Sequence, residues 1–215
     1  MSYLSKRILT SIILLLVIFL SLQKKEILFI VIFMINYIAL TEFNQIFKKI
    51  FYKDTFNIFI SILFSVIYLT IFTIFVWDHL NSLIFLNINS FIFLLFICIS
   101  TDIGGFVFGK LIGGKKLTKI SPNKTFSGMI GSFLLAFVFG YLYFQFQKNN
   151  LILANNVFLI IFIISLISQI GDLSISYLKR KAKLKDTGSI LPGHGGLLDR
   201  IDGILIAIPV GILLL

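Results

Sequence analysis

The chain has one cysteine, two histidines, three prolines and nine acidic residues among 215, and each scarcity excludes something. The lone cysteine, Cys98, lies inside an apolar run; no disulfide can form within the chain, and a buried core thiol is its expected role. With only His79 and His194 to join that thiol, a zinc site lacks ligands. No proline-rich linker, low-complexity tail or internal repeat divides the chain, so one membrane domain is expected. The N-terminal MSYLSKRILTSIILLLVIFL is basic and then apolar like a signal peptide, but SLQKKE follows in place of a small-x-small cleavage site. It reads as a retained membrane segment. No G-x-S-x-G motif is present, which disfavours a hydrolase built from Ser176, His194 and Asp199.

What the chain has in abundance is oil. It is 58% hydrophobic and 13% charged, with a mean hydropathy of +1.04. The apolar runs are long and continuous, unlike the alternating ten-residue segments of an outer-membrane barrel, so an all-α, polytopic membrane protein is expected. About seven segments can be drawn, with room for more: Ile8–Leu22, Ile27–Leu40, Phe56–Trp77, Leu83–Ser100, Ser127–Phe146, Leu151–Ile170 and Ile204–Leu215. The first two and the last fall short of the roughly 20 residues of a straight span. Residues 1–99 carry the N-terminal spans; residues 100–215 carry the catalytic membrane region and both polar motifs.

The basic residues orient this layout. With the N-terminus cytoplasmic and all seven segments crossing, sixteen of the nineteen Lys and Arg fall inside, leaving Lys24, Lys25 and Lys148 outside. Both long polar loops, 101–126 and 171–202, are then cytoplasmic, and together they are the candidate active site. The formal charge of +10 points to topology and to anionic lipid or phosphate partners, not to nucleic acid. Five of the nine acids, all aspartates, lie in these loops or at the helix ends feeding them. Acids there are costly unless paired, hydrated or metal-bound.

In the first polar region Asp102 follows an apolar run, glycines permit close backbone approach, and five lysines lie between Lys110 and Lys124. Ser121-Pro122-Asn123-Lys124-Thr125 reads as a turn, with Ser127 able to cap the next helix. Glycines, lysines and hydroxyls together suit a phosphate cradle. Gly109-x4-Gly114-Lys115-Lys116 approaches a P-loop but lacks its final hydroxyl and follows a membrane helix, not a strand. The plainer reading of these lysines is an inside anchor on lipid headgroups.

In the second region an apolar helix runs on toward Lys183, stacking Asp172, Ser176 and Lys179 on one face. A break at Thr187-Gly188, a turn at Leu191-Pro192-Gly193 and the pair Asp199 and Asp202 follow. Oxygen ligands beside cationic groups suit magnesium bound to phosphates. Asp172, Asp199 and Asp202 with Lys179 and Arg200 therefore fit a magnesium-nucleotide site at a membrane surface. The plainer alternative is a set of helix-end salt bridges. His194 reads as a general acid or base, a phosphate donor or a turn residue.

Ser174 to Arg180, Lys185-Asp186 and Leu191-Pro192-Gly193-His194-Gly195-Gly196-Leu197-Leu198-Asp199-Arg200-Ile201-Asp202 resemble the signature of the phosphatidate cytidylyltransferase (CDP-diacylglycerol synthase) family. Asp102 with its glycines and Ser121 to Thr125 resemble that family's earlier loop. The resemblance covers Ser100 to Gly203; the first 95 residues match only as apolar spans. It implies transfer of a cytidylyl group from CTP to phosphatidate in phospholipid synthesis, at the inner (cell) membrane of a bacterial-type cell, with the site facing the cytoplasm. It implies a Mg2+ site on Asp172, Asp199 and Asp202, with a monovalent cation such as K+ as an optional companion. Lys179, Arg200, Lys124 and Ser176 become phosphate contacts, and Ser176, Lys179, Arg200 and His194 join the aspartates as catalytic candidates. Asp102, Lys110, Ser121, Asn123, Lys124, Thr125, Lys185 and Asp186 are the substrate-binding candidates. A homodimer is carried as a candidate assembly. Other CTP- or CDP-dependent lipid transferases or kinases are the nearest alternative. A small transporter ranks below them, since it would spread acids through mid-membrane depth on several helices.

Overall fold

A computed structural model describes residues 3–81, 85–118, 120–151, 156–191 and 195–215. Among the described residues the fold is all-helical, with α1 (Tyr3–Ser21), α2 (Lys25–Ile50), α3 (Thr55–Asn81), α4 (Phe85–Leu111), α5 (Phe126–Gln147), α6 (Val157–Lys181) and α7 (Leu198–Leu214). A short 3-10 turn, Lys148–Asn150, follows α5, and the bridges Lys116–Thr125 and Leu191–Gly195 are isolated. Five helices, α2 to α6, are long and apolar enough to cross a membrane; α1 and α7 are not among them. The chain is an integral membrane protein: side chains such as Phe33 and Phe64 stay 66% and 70% exposed, a surface suited to lipid and not to water.

The helices outrun the apolar segments drawn from the sequence. α2 continues ten residues beyond Leu40, because Glu42, Phe43 and Ile46 keep facing inward after the surface has turned polar. Its ends carry Glu26 in the first turn and Lys48 and Lys49 in the last, the arrangement that complements the helix dipole. Asp54 caps α3 by accepting the Asn57 N–H at 3.0 Å. α6 starts at Val157, not Leu151, and keeps its last turn basic with Lys179, Arg180 and Lys181.

The chain divides into two compact units, 1–83 with 178–201 and 84–177 with 202–215. In the first, α2 and α3 bury Leu28, Ile32, Phe43, Ile46, Leu69 and Leu80, and Phe29 meets Trp77 edge-on at 5.7 Å. In the second, Phe93, Leu94, Ile97 and Cys98 of α4 are buried, as are Ala136 of α5, Ile160, Ile161 and Ile164 of α6 and Ile208 of α7. The Thr101 hydroxyl donates to Ser165 at 2.9 Å within this core.

In this second unit α4 and α5 approach each other closely. A Cβ on Gly104 would sit 2.4 Å from the Gly131 carbonyl oxygen, so only glycine lets the two backbones meet, as at small-residue crossings of membrane helices. Gly104→Ala is expected to push the helices apart and destabilise the fold by about 1–3 kcal/mol, read as a lower midpoint in a detergent thermal melt.

Candidate active site

In the second unit the polar loop after α4 closes on itself. Lys124 N–H donates to the Ser121 carbonyl at 3.0 Å, the turn expected of Ser121-Pro122-Asn123-Lys124, and Leu117 N–H donates to the Lys124 carbonyl at 2.8 Å. Thr125, not Ser127, caps α5: its hydroxyl oxygen accepts the Gly128 N–H at 3.1 Å. The helix starts directly after the turn, which leaves Ser127 inside the first turn, donating to the Gly113 carbonyl.

This loop forms one wall of a cavity of about 290 Å³ whose lining includes Asp102, Ser121, Asn123, Lys124, Thr125, Gln169 and Asp172. Six of these were singled out from the sequence, and they come from two polar regions about fifty residues apart. Lys124 forms an ion pair with Asp172 of α6, and the Ser176 hydroxyl makes a long 3.4 Å bond to the other Asp172 oxygen. Gln169, not anticipated, brings a buried side-chain nitrogen with no partner among the described residues. Lys110 is not in the lining; it is exposed, with its ammonium 5.8 Å from the Phe106 ring centre. Asp202 is 8% exposed and accepts the Gly203 N–H at 2.8 Å.

The cavity sets two carboxylates against one ammonium. A phosphate entering alone would meet net negative charge, and a hard divalent cation would reverse that. Oxygen donors are the ligands magnesium takes, usually one or two carboxylates with substrate phosphates completing the shell. The donor chemistry fits. Within each unit, the described residues gather no group of three or more His, Cys, Asp or Glu around a common point, so phosphate oxygens and water would supply the remaining ligands.

In the first unit Asp199 organises the segment before α7. Its Oδ1 accepts from Lys179 Nζ at 2.6 Å. Its Oδ2 accepts the Thr187 N–H at 2.8 Å and the Gly196 N–H at 3.2 Å. Lys185, Asp186 and Arg200 are exposed. His194, with Pro192 and Gly193, lies outside the described residues. Sequence reasoning passed over Glu42, which is fully buried on α2 and accepts from Thr187, Leu197 and Leu198. The available signal was an acid inside a helix in a chain with nine acids in all.

Burial pushes the Asp199 carboxyl up, but the Lys179 hydrogen bond, the Thr187 N–H, the Lys179 charge and the Gly196 N–H together outweigh it and leave the group below its ordinary value of 3.8. A carboxyl lowered on folding contributes stability that is complete above its unfolded value and lost as the pH falls through the lowered one. Pepsin cleavage within 182–197 is therefore expected to stay slow until the pH drops below 3.8 and then to accelerate. Asp199→Asn should lack that acid-dependent step and be cut readily throughout.

Residues 51–215 match the model of the cytidylyltransferase family. The chain is 42% identical over 142 residues to a phosphatidate cytidylyltransferase of Rickettsia bellii, covering 61% of this chain and 62% of that one. It is 44% identical over 114 residues to one of Helicobacter pylori strain J99, covering 53% and 42%. A third, of Haemophilus influenzae, is 38% identical over 114 residues, covering 51% and 40%. The chain thus spans about two-fifths to three-fifths of the length of the curated relatives it matches. With that match covering both polar regions, the chain belongs to the cytidylyltransferase family.

Proposed function

We propose that the protein transfers a cytidylyl group from CTP to phosphatidate, giving CDP-diacylglycerol and pyrophosphate. The observation that carries this reading is the cavity of the second unit, where a turn rich in hydroxyl and amide groups and a lysine faces a carboxylate on α6. Its size is near the lower limit for small-molecule sites, suited to a phosphate-bearing group and not to a whole lipid. The names of the curated relatives supply the substrate class.

In this reaction a phosphatidate oxygen attacks the α-phosphorus of CTP, a new P–O bond forms, the bond to the β-phosphate breaks and pyrophosphate leaves. Little covalent work falls to the protein, so positioning and charge neutralisation dominate. Lys124 is the cation that meets phosphate oxygens, exchanging its bond to Asp172 for one to substrate. Ser121 and Asn123 offer donors that orient the phosphate. Asp172 would hold magnesium, and the chemistry the ion supplies when bound is withdrawal of charge from the phosphates. Lys179 and Arg200 are proposed as further phosphate contacts. With α1 crossing as well, the topology we assign has the N-terminus and both polar loops in the cytoplasm, at a bacterial-type inner membrane; the distribution of Lys and Arg supports it.

Purified protein in lipid nanodiscs is expected to release pyrophosphate and form CDP-diacylglycerol from phosphatidate and CTP, with the other three ribonucleotides poor substitutes. A CTP-dependent kinase would instead yield CDP without pyrophosphate. Asp172→Asn should lower turnover on the order of 10²-fold or more, and full activity in that variant would sink the assignment. Magnesium titrations of Asp199→Asn and Asp202→Asn decide whether these carboxylates are ligands: the required concentration rises for a ligand and is unchanged otherwise.

A further inference from the structure

We infer that Glu42 is a positioning residue, a clamp reaching from α2 that holds Thr187 and residues 195–198 and so keeps Asp199 on Lys179. The importance of that pair for turnover rests on the function proposed above; the clamp itself rests on geometry.

Three donors converge on the Glu42 carboxylate. The Thr187 hydroxyl donates at 2.6 Å, the Leu197 N–H at 2.8 Å and the Leu198 N–H at 2.9 Å. Leu197 and Leu198 lie at the entry to α7, and a helix cannot satisfy its first N–H groups by itself. A cap normally comes from the adjoining chain; here it comes from a residue 155 positions away. The Thr187 hydroxyl has one proton to give, and Glu42 is nearer to it than Asp199 is, at 2.6 against 3.1 Å. Thr187 therefore gives its hydroxyl to Glu42 and its backbone N–H to Asp199. Gly196 likewise gives Asp199 its N–H while lying against Glu42: a Cβ there would stand 2.7 Å from Oε2 and 1.9 Å from the Thr187 hydroxyl. Both backbone donors that fix Asp199 thus belong to the segment that Glu42 holds.

Glu42 precedes residues 51–215, the part that matches the family model. The clamp is supplied by a stretch of chain outside the motif it steadies. Its chemistry is demanding. Glutamine has the same shape, but its amide would turn an N–H toward the N–H of Leu197 or Leu198, and aspartate falls one methylene short.

The test uses the full chain in nanodiscs. In Glu42→Gln, amide exchange at Leu197 and Leu198 is expected to rise roughly tenfold or more, as loss of a hydrogen bond requires, while α4 and α5 exchange as in the wild type. The kcat for cytidylyl transfer should fall on the order of 10²-fold, the scale set by misplacing a working group, with KM for CTP little changed. A residue that only kept the fold together would lower the amount of active protein and leave kcat per folded molecule intact. Thr187→Val, which keeps both Glu42 contacts to Leu197 and Leu198, should shift exchange and kcat the same way by less, and serves if Glu42→Gln does not fold. Unchanged exchange in the folded variants overturns the clamp, and raised exchange with unchanged kcat overturns its positioning role. If the wild type makes no CDP-diacylglycerol, the proposed function fails, and the exchange comparison alone decides whether Glu42 holds the segment.

Discussion

An anionic side chain set among apolar helices persists only where donors converge on it, because burial alone would neutralise or expel it. That constraint shapes both units. In one, Asp172 is met by Lys124 from a loop. In the other, Asp199 is met by Lys179 and two backbone N–H groups, and Glu42 by a hydroxyl and two more. In each case at least one donor lies outside the acid's own helix, so satisfying the charge also ties down a loop. The chemistry proposed here needs ordered polar loops at the surface of an oil-filled bundle, and the acids order them.

The two polar regions do this differently. The first is stiffened locally: the turn at Ser121 to Lys124 runs straight into the Thr125 cap, and Lys124 inherits the orientation of α5. The second depends on contacts distant in sequence, since Thr187, Gly196 and Leu197, between α6 and α7, are gripped by carboxylates on α2 and α7. A lysine–carboxylate pair that is part-buried, as both pairs are, is also one that an incoming phosphate can compete for, because its ammonium is not sealed away from solvent.

The all-helical class, the two polar loops and most cavity residues were legible in the sequence, because continuous apolar runs and glycine–proline punctuation are local signals. The turn at Pro122 belongs to that part; Asp102, Asn123 and Asp172 were candidates in the sequence, and that they line one cavity is what the structure adds. The overrun of α2 was not legible from hydropathy: Thr41-Glu42-Phe43-Asn44-Gln45 looks like an end, yet Phe43 and Ile46 continue the buried face. Nor was the choice between Thr125 and Ser127 as cap, since two hydroxyls two residues apart differ only in where the preceding turn closes. The partners of Glu42 are 145 or more positions away, and no local pattern encodes them.

The length of α4 has a consequence for how a lipid would meet the cavity. Its 27 residues extend about 40 Å at 1.5 Å per residue, against a hydrocarbon layer of about 30 Å. Something near 10 Å must overhang if the helix stands upright. Both charges of α4, Asp102 and Lys110, lie in its final ten residues, so the overhang falls at that end. Asp102, which lines the cavity, then lies close to the hydrocarbon boundary, so that in the function proposed above a phospholipid would offer its phosphate sideways without its acyl tails leaving the leaflet.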